Sequence, residues 1–88
     1  MTIFAIIPTR DEHQIEAALS KQSSDVLQWM KLPRGEYLAS YKGTTIELCN
    51  ILGITEGVSG LAVVFATSSY YGRASNDTWE WIKTHWEA

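Results

Sequence analysis

Two stretches of the chain are apolar without interruption: Ile3-Phe4-Ala5-Ile6-Ile7, and Leu61-Ala62-Val63-Val64-Phe65-Ala66. Both have the length and the β-branched content of strands. The first reads as a strand covered on both faces, and the second as a buried strand. Pro8 is expected to close the first. Directly after it, Thr9 and Glu12 have the spacing of a capping box, and Asp11 and Glu12 suit the positive end of a helix dipole. The helix predicted there places Ile15, Ala18, Leu19 and Gln22 on one face, a narrow apolar stripe for packing on a sheet. Residues 22–25 form its exit loop.

Residues 26–32 read two ways. Asp25 suits the cap of a short helix, but Pro33 would close that helix after seven residues, a marginal length. The strand reading is preferred, because Pro33-Arg34-Gly35 makes a turn into residues 36–41 and so an antiparallel hairpin. Residues 44–54 contain β-branched residues, yet their ends carry helix punctuation. Thr44 and Glu47 form a second T-x-x-E box, and Gly53, followed by apolar Ile54, stands where a C′ glycine belongs. Start and stop signals outweigh weak propensity, so a helix is predicted. A glycine-rich turn over residues 55–60 then leads into the strand from Leu61. Beyond it come a loop of hydroxyls and aromatics, residues 67–75, and a helix from Asn76 to Trp86.

The predicted order is strand, helix, strand, strand, helix, strand, helix. Its first six elements follow the ferredoxin-like split βαβ arrangement (βαββαβ), with an additional C-terminal helix. The expectation is one α+β domain over residues 1–88. A chain of 88 residues with 45% apolar content supports a core of its own and excludes a disordered segment.

A net charge of −3 disfavours a general nucleic-acid binder, which needs clustered Lys and Arg. The lone Cys49 leaves no internal disulfide and suits a reducing compartment. The apolar start is too short to span a membrane and lacks the basic region of a signal peptide, so a cytoplasmic protein with no membrane association is expected. His13 and His85 stand far apart in the chain, no metal-ligand spacing occurs, and no metal or other cofactor is expected. Cys49 lies in an apolar run and reads as a small buried hydrophobe. The hydroxyls of Ser68, Ser69 and Thr44 have no base nearby in sequence, and the paired carboxylates Asp11/Glu12 and Asp77/Glu80 are explained by capping. No catalytic residue is assigned, and the chain leans away from being an enzyme.

Two surfaces remain as candidates. In the predicted fold the strands ending near Tyr41 and Thr67 run the same way, so the loops that follow them open at one end of the sheet. Lys42, Gly43, Thr44 and Thr45 from one loop, with Ser68, Ser69, Tyr70, Gly72 and Arg73 from the other, supply cations, hydroxyls and free amides. That chemistry suits a small phosphate- or nucleotide-type anion. The second surface is the last helix. Three tryptophans fall within residues 79–86. If Trp79, Ile82, Lys83 and Trp86 face the sheet, Trp81 points about 160° from Trp79, beside His85. Trp81 and His85 are then the expected contact for a homodimer or a protein partner. The sequence thus predicts a small non-enzymatic interaction module, with an anion-binding protein as the alternative.

Overall fold

A computed structural model of the chain describes residues 1–86. Its elements are β1 (Thr2–Arg10), α1 (Glu12–Lys21), β2 (Leu27–Lys31), β3 (Tyr37–Tyr41), α2 (Thr45–Ile51), β4 (Leu61–Ala66) and α3 (Asn76–His85). The predicted element order is present throughout, and the structure is a small α+β domain. Four strands form one sheet in the order β2-β3-β1-β4, and every neighbouring pair is antiparallel. It follows that β1 and β2 run in one direction, while β3 and β4 run in the other. Among the described residues no helix is long and apolar enough to cross a membrane.

Strand alternation divides the sheet into two faces. Phe4 and Ile6 point to the side where α1 and α2 lie, and they pack with Ile15, Leu19, Leu27, Tyr37, Leu48 and Leu52. Ile3 and Ala5 point to the opposite side, where α3 packs through Ile82 over Leu38, Met30 and Leu32. Because β1 has neighbours on both edges and helices on both faces, its unbroken apolar run is accounted for.

Several local predictions hold in detail. Thr44 Oγ1 accepts from the Glu47 amide at 3.1 Å, and Glu47 Oε1 accepts from the Thr44 amide at 2.8 Å, which completes the capping box. At the other end of α2, Gly53 has φ 76°, and the Ile54 amide bonds Cys49 O while the Gly53 amide bonds Asn50 O. These paired bonds close a Schellman motif, with buried Ile54 supplying its apolar contact. The 26–32 segment is a strand, and the Leu32 amide bonds Glu36 O across the Pro33-Arg34-Gly35 turn.

The start of α1 differs from expectation. Pro8 does not end β1, which continues to Arg10 by pairing with β4 through an irregular register between Pro8 and Arg10. Pairing of β1 with β3 stops at Ile6, so Pro8 sits where the strand is paired on one edge only. Thr9 is consequently held in the strand, and no capping box with Glu12 forms. Asp11 is the N-cap instead, in the left-handed region at φ 55°, with no side-chain cap bond.

Tyr37 is buried between β3 and α1, and its hydroxyl donates to Glu16 Oε1 at 2.9 Å. Glu16 also pairs with Lys31 Nζ at 3.1 Å. The Tyr37 bond, then Lys31, holds the Glu16 carboxyl below the usual carboxylate range; burial, then the bond to Glu16, pushes the Tyr37 phenol up.

Replacing Thr44 with Ala removes the observed cap and should lower stability by about 1 kcal/mol in urea denaturation. A depressed carboxyl contributes stability above its unfolded pKa and loses it as pH falls through its folded value. The Tyr37→Phe variant should therefore be less stable than the parent at about pH 7, and the gap should narrow towards about pH 3, measured by urea midpoints at both.

Candidate interaction surface

The two loops predicted to bind an anion do share one end of the sheet, because β3 and β4 both run antiparallel to β1. The helices they lead into do not share a face. Leu48 and Leu52 of α2 belong to the α1 side, whereas Ile82 of α3 belongs to the opposite side. The helix N-termini therefore do not converge. Lys42, Gly43, Thr44 and Thr45 surround the start of α2, where the Glu47 carboxylate and the Thr44 hydroxyl already occupy the Thr44 and Glu47 amides. A side chain at Gly43 would press on the Tyr41 ring. Ser68, Ser69, Gly72 and Arg73 are exposed in the loop after β4, on the other side of the central strand. Only Tyr70 of this set makes a defined tertiary contact. Its ring is tilted on Trp79 at 5.9 Å and edge-on to Trp86 at 4.8 Å.

The final helix packs in a phase different from the predicted one. Thr78 and Ile82 are its buried residues, so the centre of its inner face lies between Trp79 and Trp81. On a helical projection each tryptophan then stands about 80° from that centre, and both flank the seam. Trp79, Trp81 and Trp86 are all partly buried against the cluster of Ile3, Leu38 and Ile82. The expectation that Trp81 faces solvent while Trp79 faces the sheet is corrected accordingly. A helix lying on a flat sheet can turn two bulky residues into the grooves on either side of one branched residue. His85 stacks on Trp81 at 4.0 Å, its Nδ1 lies 2.7 Å from Trp81 O, and its Nε2 lies 2.5 Å from Gln28 Oε1. Trp81 and His85 thus fasten α3 to the β2 edge of the sheet.

The surface that sequence reasoning missed is on β4. Ala62 and Val64 pack inward against the α1 side. Leu61, Val63 and Phe65 alternate to the α3 side, where they remain 46%, 48% and 53% exposed. Ile7, the β1 partner of Val63, is 40% exposed beside them. The α3 cluster takes its sheet residues from β1, β3, β2 and the turn after β2, and stops short of β4. This strand also forms one edge of the sheet, hydrogen-bonded to β1 alone. From Gly57 to Gly72 the chain has no charged residue. The strand therefore carries neither the lysine nor the proline that often protects such an edge. The available signal was the unbroken apolar run itself, which implies cover on both faces.

A hollow of about 420 Å³ opens between the 70–72 segment and α3, with Tyr70 and Trp79 in its lining. Cys49 is half-buried at the core, and burial pushes its thiol up, away from the reactive thiolate. Among the described residues no three His, Cys, Asp or Glu side chains gather as a metal site would require. Comparison with protein-family models, with curated proteins and with solved structures gives no match to the chain.

Truncating a half-buried tryptophan loses part of the 3–5 kcal/mol typical of buried aromatics. Trp81→Ala should accordingly lower stability by about 2 kcal/mol in urea denaturation and leave the oligomeric state unchanged in light scattering.

Proposed function

We propose that this chain is a small non-enzymatic interaction module that assembles with a second copy of itself through β4. One observation carries the reading: β4 is an uncharged, apolar strand that is open along its edge and on one face. Leu61, Val63, Phe65 and Ile7 together expose a patch on the order of 300 Å², a size at which a monomer's largest apolar patch is often functional. The backbone edge supplies unpaired amides and carbonyls beside it, so an incoming strand satisfies both at once.

The occupant is a second copy for reasons of charge and symmetry. An edge with no charged residue offers no complement to an acidic or a basic partner. Two such edges meet antiparallel about a two-fold axis without opposing like charges, and each apolar residue finds apolar cross-strand neighbours. A net charge of −3 per chain opposes this contact weakly. Fully burying each large side chain contributes roughly 1.5–3 kcal/mol relative to leaving it in water, and the half-exposed residues here gain a share of that. The strand order β2-β3-β1-β4, with β1 and β2 running together around an antiparallel β3, supports reading the fold as a ferredoxin-like split βαβ. In that reading, α3 is an addition covering the half of the sheet nearest β2. The single Cys49 supports a place for this module in the cytoplasm.

The parent chain should run as a dimer in size exclusion with light scattering. Val63→Lys adds a charge on the open face of the edge and should give a monomer with an unchanged far-ultraviolet circular dichroism spectrum. A parent that remains monomeric at high concentration, or a Val63→Lys dimer, overturns the reading.

A further inference from the structure

The hollow beside α3 has a composition that selects a ligand class. Asn76, Glu80 and Lys83 follow at i, i+4 and i+7 along a single stripe of α3, and all three line the hollow. Tyr70 and Trp79 lie in the lining, and the Tyr70 ring is held in place by its contacts with Trp79 and Trp86. Tyr71 also lines the hollow, with its side chain wholly exposed. The lining thus combines aromatic rings with an amide, a carboxylate and an ammonium, an apolar surface supplied with donors and acceptors.

Charge decides what such a site accepts. Lys83 is balanced by Glu80, so the lining is neutral. The positive end of α3 is already met by Asp77, whose carboxyl the Ser75 hydroxyl holds below the usual range. A phosphate would find no excess of cations. A quaternary ammonium would find Lys83 beside the rings, where an aromatic cage needs no competing cation. A neutral ligand with an apolar face and several hydroxyls meets every group present. Its C–H face lies on a tyrosine ring, and its hydroxyls donate to Glu80, accept from Lys83 and do both with Asn76. The hollow's 420 Å³ is within the range of small-ligand sites.

We infer that the hollow formed by Tyr70, Tyr71, Asn76, Trp79, Glu80 and Lys83 binds a neutral saccharide unit. This site is independent of β4, and its test does not depend on self-association.

The test is a titration of the ¹⁵N-labelled protein with glucose, galactose, mannose, N-acetylglucosamine and their neutral disaccharides. Inorganic phosphate and tetramethylammonium serve as controls. At least one saccharide should shift the Trp79 indole resonance and leave that of Trp81 in place. Tyr71→Ala should weaken this binding at least tenfold with the circular dichroism spectrum unchanged, since the removed ring lies in water, and Tyr71→Phe should keep it. Three results would each overturn the inference. The Trp79 resonance stays still with every saccharide, the control ions shift it as strongly, or Tyr71→Ala binds as the parent does.

Discussion

The two-sided burial of β1 is the constraint on which the rest of the structure depends. The strand is hydrogen-bonded to β3 on one edge and to β4 on the other. Its side chains alternate between two separate apolar clusters, Phe4 and Ile6 in one, Ile3 and Ala5 in the other. Each large residue contributes roughly 1.5–3 kcal/mol only if its own face is covered. One face is covered by α1 and α2 and the other by α3, so loss of α3 would return Ile3 and Leu38 to water. The appended helix is therefore part of the fold's core rather than a tail.

How α3 achieves that cover explains its unusual content of tryptophan. Thr78 and Ile82 occupy the centre of the face, and the flanking rings of Trp79 and Trp81 fill the space to either side. The Trp81 flank is tied down by His85 and Gln28, and the Trp79 flank by Tyr70. These ties hold the helix over β2, β3 and β1. A single helix is about 10 Å across, while four strands span about 14 Å between their outer axes. One helix cannot cover the whole sheet, and the strand left out is β4.

That geometric shortfall links packing to function. A strand whose sequence calls for cover on both faces receives it on one, at the same edge where its backbone is unpaired. In the proposed dimer a like strand pairs the open backbone edge and gives the half-exposed residues apolar cross-strand neighbours. The aromatic hollow lies on the outer side of α3 and uses a different chemistry, rings with a balanced polar rim in place of a bare apolar edge. Apart from Ile7, both surfaces come from the segment between Gly57 and Lys83, which supplies little to the α1-side core beyond β4's inward residues.

The sequence by itself determined the local structure. Capping residues at Thr44, the glycine at Gly53, the turn at Pro33-Arg34-Gly35 and the apolar runs each act over a few residues, and so the element order was legible. It also indicated that β4 should be buried. Local signals failed where a neighbour in space competes: pairing with β4 draws Thr9 into β1 and leaves the apparent capping box unformed. The phase of α3 was equally hidden, because a helix with tryptophans at 79, 81 and 86 has two apolar stripes of similar width. Contact with Ile3 and Leu38 selects the seam between them. Only the tertiary structure decided that α2 and α3 lie on opposite faces, which separates the two loops once grouped as one site. It also decided that β4 is the strand left uncovered, because strand order and helix placement arise from pairings between residues distant in the chain.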